Sequence, residues 1–166
     1  MEDINMEYNR AAAVAYAKRW AYGRNPAYYD FSDLGGDCTN FASQCIYAGS
    51  GIMNYTPIYG WYYISLNDRA PAWTGVEELY RFLTTNRGPG PRAIVTDLSQ
   101  IQNGDIIQLQ FGESKRFDHS PVVVDAGNRT PQSILVAAHS YDVDCRPLAS
   151  YRYMRIRPLH ITNVGE

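Results

Sequence analysis

The chain has 166 residues, of which 45% are hydrophobic and 19% are charged, and it carries a formal net charge of −2. This composition predicts one soluble globular domain over residues 1–166 and excludes a disordered tail, a coiled coil and a collagen. The 15 lysines and arginines are spread along the chain, which argues against a nucleic-acid partner. The longest apolar stretch, residues 11–17, is far shorter than the roughly 20 residues of a membrane helix, so we expect no membrane span.

Two helices are predicted in the first third of the chain. Residues 5–22 form the first, because Asn5 is a suitable N-cap and small apolar residues recur behind it at helical spacing. Residues 39–48 have the composition of a second helix, and Gly49 stands where a left-handed residue ends a helix. The second helix therefore begins directly after an Asp-Cys pair.

The rest of the chain changes from helical to strand patterns. Residues 50–73 are rich in Gly, Pro, Tyr and Trp without a sustained period, which predicts a long aromatic loop. The capping-box sequence at residues 74–77 then starts a third helix that ends near Asn86. Short strands with a period of two follow at residues 105–111, 122–124, 134–138 and 151–156. Helices first and antiparallel strands afterwards indicate an α+β fold.

Asp37-Cys38, at the start of the second predicted helix, is the most informative pair in the sequence. With Asp37 as N-cap, its carboxylate accepts from the amide of Thr39 or Asn40, and Cys38 occupies the first helical position. The helix start stabilises a thiolate there, but the charge of Asp37 opposes this, so a reactive Cys38 needs a cationic partner. A buried structural cysteine is the alternative, and it is the interpretation for Cys45 inside the same helix.

Two histidines lie at the ends of predicted strands. His119 precedes an apolar strand, where it can reach over a helix start packed across the sheet, as a Cys–His pair requires. His139 ends the next strand, and it can orient the His119 ring if the two strands are hairpin neighbours. Asp142, in the following turn, is the alternative for that role. Each histidine also fits an ordinary structural role, and His160 is expected to be uninvolved.

A metal site is the weaker interpretation of the same region. Five side chains there have metal-ligand chemistry: Asp118, His119, His139, Asp142 and Cys145. No C-x-x-C, H-E-x-x-H or H-x-H spacing is present, so we expect neither a metal nor any other cofactor. The pair Gly35-Gly36 is not followed by the other residues of a phosphate-binding loop. Its small residues more simply let substrate approach the amide of Cys38, which can donate to an oxyanion.

Several motifs taken together resemble one family of bacterial proteins. They are Tyr8-Asn9-Arg10, Asn25-Pro26, the run GDCTNFASQC at residues 36–45, Asn103-Gly104-Asp105 and Asp118-His119-Ser120. They resemble the bacterial "putative amidase domain" family over nearly the whole chain, with the GDCTNF run as the most specific part. That family looks like a branch of the papain-like superfamily, which includes the NlpC-type and CHAP cell-wall hydrolases.

The resemblance implies a papain-like fold in which the nucleophile helix packs on the C-terminal antiparallel sheet. It also implies that a helix-start Cys, a strand-start His and a polar residue on the following strand act in that order. Cys38, His119 and His139 match those positions, with Asp142 as the alternative third residue.

The implied activity is hydrolysis of an amide or peptide bond, and the relatives suggest peptidoglycan peptides or related cell-wall amides as substrate. Two alternatives remain at this stage. One is an acyltransferase or deamidase that uses the same Cys–His pair. The other is an inactive carbohydrate- or peptide-binding module on the same fold.

The aromatic loop contains the candidates for a substrate-binding surface. Trp61, Tyr62 and Trp73 offer ring faces to a sugar or a peptide. The alternative is that these rings cover the hydrophobic core.

The chain begins with the acidic residues Glu2 and Asp3 after Met1, whereas a signal peptide begins with basic residues. We therefore expect no export signal in this chain. Action on the cell wall would require export, and without export the protein would be cytoplasmic. The sequence gives no indication of the oligomeric state.

Overall fold

A seven-stranded antiparallel sheet dominates the second half of the fold in the computed structural model, which describes residues 5–166. The helices are α1 (Arg10–Trp20), α2 (Cys38–Ser50), α3 (Pro71–Thr74) and α4 (Val76–Thr85). The strands are β1 (Asn5–Met6), β2 (Tyr63–Ser65), β3 (Asp68–Arg69), β4 (Gly90–Val95), β5 (Ile106–Phe111), β6 (Val122–Asp125), β7 (Leu135–Ala138), β8 (Val143–Pro147) and β9 (Tyr153–Gly165). The predicted α+β class is confirmed. The acidic start at residues 1–3 lies outside the described residues.

The long strand β9 organises the sheet. The strand order is β1-β9-β5-β6-β7-β8, with β4 also pairing with β9. The first half of β9 pairs with β5 and its second half with β4, and the two pairings meet at Leu159. The expected antiparallel neighbours β5, β6 and β7 are confirmed. Strands β4 and β8 were not predicted, because both leave side chains exposed and neither alternates apolar with polar residues.

The helix ends differ from the predicted ones. Asn9 caps α1, since its Oδ1 accepts from the amide of Ala12 at 3.0 Å, whereas Asn5 belongs to β1 and pairs with β9. The second helix ends at Gly51, which has a φ of 68°, and Gly49 lies inside the helix. Gly49 is required there for another reason, because a Cβ atom would collide with the ring of Tyr8. No helix within the described part of the chain is long and apolar enough to cross a bilayer.

The aromatic connection, residues 50–73, is not one long loop as predicted. It contains the hairpin β2–β3 and the start of helix α3. The predicted capping box is wrong. Thr74 ends α3 and its hydroxyl accepts from Arg69 Nε at 3.2 Å, while Gly75 precedes α4 without a side-chain cap. The predicted end of this helix near Asn86 is confirmed.

The sheet is covered by apolar side chains on both faces. One cluster joins β5, β6 and β7 to the first two helices, through Ile106, Val122 and Ala137 on the sheet and Ala13, Ala17, Phe41 and Ile46 on the helices. A second cluster on the opposite face contains Ile107, Leu109, Val123, Val136 and Leu148. Burial of α2 against the first face fixes the position of its N-terminus, where Cys38 lies, over the start of β6.

Candidate active site

Cys38 is the first residue of α2, as predicted. Its side chain is half-buried, and its Sγ lies 3.7 Å from Thr39 Oγ1 and 4.0 Å from the carbonyl oxygen of Asp118. The backbone of Ser120 is also close enough to the sulfur to act on this thiol, whose pKa it lowers. The thiol therefore lies against the main chain on both sides of His119.

The ring of His119 packs against aromatic side chains. The residue is bridged to Leu109 across the sheet, with the Leu109 amide donating to the His119 carbonyl at 3.0 Å. The side chain is 7% exposed, and its ring centroid lies 6.1 Å from that of Phe111 and 5.7 Å from that of Tyr151. Within residues 5–166 the structure contains no hydrogen bond between His119 and Cys38. The two predicted residues are thus brought together through their backbones rather than through their side chains.

Burial keeps both members of this pair uncharged at neutral pH. Burial, with a smaller contribution from the charge of Arg146, lowers the pKa of His119 from 6.5 to about 4. Burial raises the pKa of the Cys38 thiol, and the hydrogen bonds from Thr39 and Ser120 only partly offset it. The helix start alone therefore does not give Cys38 a lowered pKa, because the loss of solvation outweighs its effect. The resting pair consists of a thiol and a neutral imidazole.

We expect iodoacetamide to alkylate Cys145 before Cys38 in the folded protein at neutral pH. Cys145 is exposed, with Lys18 Nζ 3.2 Å from its sulfur, whereas Cys38 is half-buried and has a raised pKa. Timed labelling followed by peptide mass spectrometry gives the order, with the fully buried Cys45 as the protected reference. Faster labelling of Cys38 than of Cys145 would contradict the neutral resting state.

The carboxylate of Asp37 binds His139 instead of capping α2. Its Oδ2 accepts from His139 Nδ1 at 2.5 Å. Its Oδ1 accepts from the amide of Phe31 at 2.8 Å and from Asn40 Nδ2 at 2.9 Å. No side-chain cap remains at the start of the helix, so the predicted bond to the amide of Thr39 or Asn40 is wrong. The first amides of α2 consequently point to the region beside Cys38 without a capping oxygen.

His139 does not contact His119, contrary to the predicted orienting role. Its Nδ1 is bound to Asp37, its Nε2 lies 2.8 Å from the carbonyl oxygen of Trp20, and its ring stacks on Phe41 with centroids 4.0 Å apart. The reason is strand register. Because Val122 pairs with Ala137, His139 falls opposite Ser120, so His119 points to the other face of the sheet.

Asp142, the alternative third residue, belongs to the same network as His139. Its two oxygens accept from Arg24 at 2.9 and 3.1 Å, and the same guanidinium lies 3.2 Å from His139 Nε2 and 3.2 Å from Asp30. Neither candidate hydrogen-bonds His119 within the described residues. Arg24 was not identified from the sequence, because it follows α1 in a turn and its partners His139 and Asp142 are distant along the chain.

The predicted aromatic surface is wrong for two of its three members. Trp61 and Trp73 are completely buried and lie 4.7 Å apart in the core. Their indole nitrogens donate to Ser43 Oγ and Asn40 Oδ1, both at 3.0 Å, which ties the aromatic connection to α2. Tyr62 is half-buried and lies 5.7 Å from the exposed Tyr55.

The Tyr8-Asn9-Arg10 and Asn103-Gly104-Asp105 motifs form a structural cluster of ion pairs and hydrogen bonds that does not include Cys38. Arg10 donates to Asp105 Oδ1 at 2.7 Å, and Tyr8 donates to the Gly104 carbonyl at 2.8 Å. His160 Nδ1 lies 2.8 Å from Asp105 Oδ2. These contacts connect the start of α1 to β5 and β9, and they explain why a Tyr-Asn-Arg and an Asn-Gly-Asp sequence occur together.

An open cavity of about 310 Å³ lies beside His119, and one of its walls, Ser140, accepts from the amide of Asp37 at 3.3 Å, directly before Cys38. Its walls include Asp118, His119, Ser140, Tyr141, Arg146 and Tyr151. Arg146 and Tyr151 were not identified from the sequence. In residues 5–166, His, Cys, Asp and Glu side chains form no group of three that could hold a metal ion.

Comparison with known proteins identifies the class of this protein. Residues 7–162 match the family described as "Putative amidase domain", and the chain belongs to that family. It is 36% identical over 140 residues to the Bacillus subtilis (strain 168) protein described as "Uncharacterized protein YhbB". That match covers 82% of this chain and 42% of the relative, so the chain spans about two fifths of the relative's length. No solved structure matches.

Proposed function

We propose that this protein is a cysteine-dependent hydrolase of an amide or peptide bond, with Cys38 as nucleophile and His119 as base. The observation that carries the proposal is the position of the Cys38 thiol, at the start of α2 and against the main chain on both sides of His119. Membership of the amidase family supports amide hydrolysis. The resemblance to papain-like enzymes supports the order of a helix-start Cys and a strand-start His.

The chemistry follows from these two groups. His119 takes the proton of the Cys38 thiol as the sulfur attacks the carbonyl carbon, and the Cys38 amide donates to the oxyanion. The carbon–nitrogen bond then breaks, the amine leaves with the proton from His119, and the acyl group stays on sulfur as a thioester. Water, deprotonated by His119, hydrolyses the thioester, which releases the acid and restores the thiol.

The reaction requires the ring of His119 to turn towards Cys38. In the structure the ring packs against Phe111 and Tyr151. Catalytic hydrogen bonds often form fully only when substrate is bound, and the main chain of His119 already lies beside the sulfur. The low pKa of His119 keeps the imidazole neutral, and therefore able to accept a proton, at neutral pH.

We expect the acid limb of kcat/KM to lie near pH 4. The pKa of His119 is about 4, so the base stays unprotonated between that value and 6.5, where an ordinary histidine would be charged. Activity is lost only as the pH falls through the pKa of His119. The measurement is a pH profile of kcat/KM for any amide that is turned over, and an acid limb near 6.5 would show that the active base is not the buried His119.

The proposed substrates are peptides or related amides of the bacterial cell wall. This part rests on the resemblance to the NlpC-type and CHAP hydrolases. His139 and Asp142 are proposed to act as positioning residues around Cys38 through Asp37 and Arg24, rather than through contact with His119.

The test is detection of the acyl-enzyme. A Cys145→Ser variant, which lacks the exposed thiol, is mixed with peptidoglycan peptides and simple peptide amides. We expect release of an amine and a mass increase located on Cys38, with Cys38→Ala in the same background as the unreactive control. Transfer of the acyl group to an added amine would identify an acyltransferase, and binding without turnover would identify a binding module. An acyl mass on another residue would contradict the proposal.

A further inference from the structure

The cavity beside His119 contains an arginine without a carboxylate partner. Arg146, on β8, is half-buried, and its guanidinium carbon lies 3.7 Å from the centre of the Tyr151 ring. Its Nε donates to Ser150 Oγ at 2.8 Å. Within the described residues three arginines are paired with acids, as in Arg10–Asp105, Arg24–Asp142 and Arg157–Glu77. Among residues 5–166, no acidic side chain forms an ion pair with Arg146.

The guanidinium is held in place rather than freely mobile. The Tyr151 ring below it and the Ser150 hydroxyl beside it fix its plane, so less side-chain freedom is lost when an anion binds. Its Nη1 has no protein hydrogen-bond acceptor within the described chain and remains available to a ligand. A guanidinium in this arrangement suits a planar carboxylate.

The acidic residue of the cavity does not cancel this charge. Asp118 also lines the cavity, but its side chain is exposed to solvent and is not paired with Arg146. The neutral His119 contributes no charge. A ligand in the cavity beside His119 and Tyr151 is therefore nearest to the positive charge of Arg146.

We propose that this cavity is a substrate subsite in which Arg146 binds a carboxylate of the amide that Cys38 cleaves. The inference rests on the proposed function, because it uses the proximity of the cavity to His119 and Cys38. It identifies the substrate class as amides of amino acids or peptides with a free carboxylate near the scissile bond. Amides without that carboxylate are poorer substrates.

The subsite also acts on the base. The charge of Arg146 contributes to the low pKa of His119. A carboxylate bound to Arg146 offsets that charge, so the pKa of His119 rises when the ligand is bound. Binding of the correct substrate thereby makes the imidazole a stronger base at the moment it is used.

The experiment measures binding by NMR in Cys38→Ala, which cannot perform the reaction. The ligands are N-acetylalanine and its uncharged analogue N-acetylalaninamide, and the readout is the pH titration of the His119 ring. We expect the carboxylate to bind and to raise the pKa of His119, and the amide to do neither. Arg146→Gln should weaken carboxylate binding by about tenfold or more, and Arg146→Lys should restore part of it.

Arg116→Gln is the matched control, because it removes the same charge from an exposed position that does not line the cavity. It should leave binding unchanged. The subsite would be overturned if the two ligands bound equally well, or if Arg116→Gln and Arg146→Gln weakened binding equally. It would also be overturned if Arg146→Gln had no effect on binding while the protein kept an otherwise native spectrum. Absence of binding by either ligand would overturn it too. This experiment measures binding without turnover. If the acyl-enzyme on Cys38 were not detected, the binding result would therefore still stand or fall by itself.

Discussion

Replacing Cys38 with alanine is expected to lower the rate of amide hydrolysis by roughly 10³-fold or more. Removal of a nucleophile leaves only the binding and oxyanion contributions to catalysis. The melting temperature should change little in Cys38→Ser, because the thiol is half-buried and its contacts with Thr39 and Asp118 are long, at 3.7 and 4.0 Å. The measurements are kcat/KM and thermal unfolding on the same samples.

Cys45→Ser provides the opposite pattern as a control. Cys45 is completely buried among apolar residues, so a hydroxyl there should lower the melting temperature without acting on the chemistry. Near-normal turnover in Cys38→Ala would remove the covalent mechanism. A strong loss of stability in Cys38→Ser would show that the thiol has a structural role.

The local sequence predicted what depends on local interactions. Cys38 at the start of a helix follows from the Gly-Gly-Asp sequence before it, and the alternation in residues 106–111 is visible without tertiary information. The α+β class follows from these patterns. The helix ends could not be predicted in the same way. Both Gly49 and Gly51 are suitable residues for the end of α2, and the close contact of Gly49 with Tyr8 is visible only in the structure.

The candidate site depends on strand register, which the sequence does not contain. A shift of one residue reverses the face to which a side chain points. His119 precedes one apolar strand and His139 follows the next, but the pairing of Val122 with Ala137 puts only His139 on the face covered by α2. Arg24 and Arg146 reach the site from a turn and from a half-exposed strand, where hydrophobic periodicity carries no information.

Four residues of the specific run at the start of α2 each have a separate partner. Asp37 binds His139, Cys38 lies against the backbone beside His119, Thr39 contacts Ser120 at 3.3 Å, and Asn40 accepts from Trp73. Four consecutive side chains thus connect the helix start to β6, β7 and the aromatic connection.

Replacing Asp37 with alanine is expected to reduce the free energy of unfolding by about 3–5 kcal/mol, because several buried donors lose their acceptor at about 1–3 kcal/mol each. The side chains of Asp37 and His139 are only 1% and 2% exposed. The change removes the acceptor for His139 Nδ1, for the amide of Phe31 and for Asn40 Nδ2. Asp142→Ala should cost far less, about 1 kcal/mol or less, because its ion pair with Arg24 is partly exposed.

The conservative change Asp37→Asn separates hydrogen bonding from charge. The asparagine oxygen can still accept from Phe31 and Asn40, and its NH₂ group can donate to His139 Nδ1 once the ring proton moves to Nε2, which lies 2.8 Å from the Trp20 carbonyl. We therefore expect Asp37→Asn to retain most of the stability that Asp37→Ala loses. It should also lower the pKa of Cys38, because the charge of Asp37 raises it, and so increase the alkylation rate of Cys38 at fixed pH. Urea unfolding of the three variants tests the first expectation and timed alkylation the second. Equal destabilisation by Asp37→Asn and Asp37→Ala would mean that the carboxylate charge, rather than its hydrogen bonds, holds the start of α2 to β7.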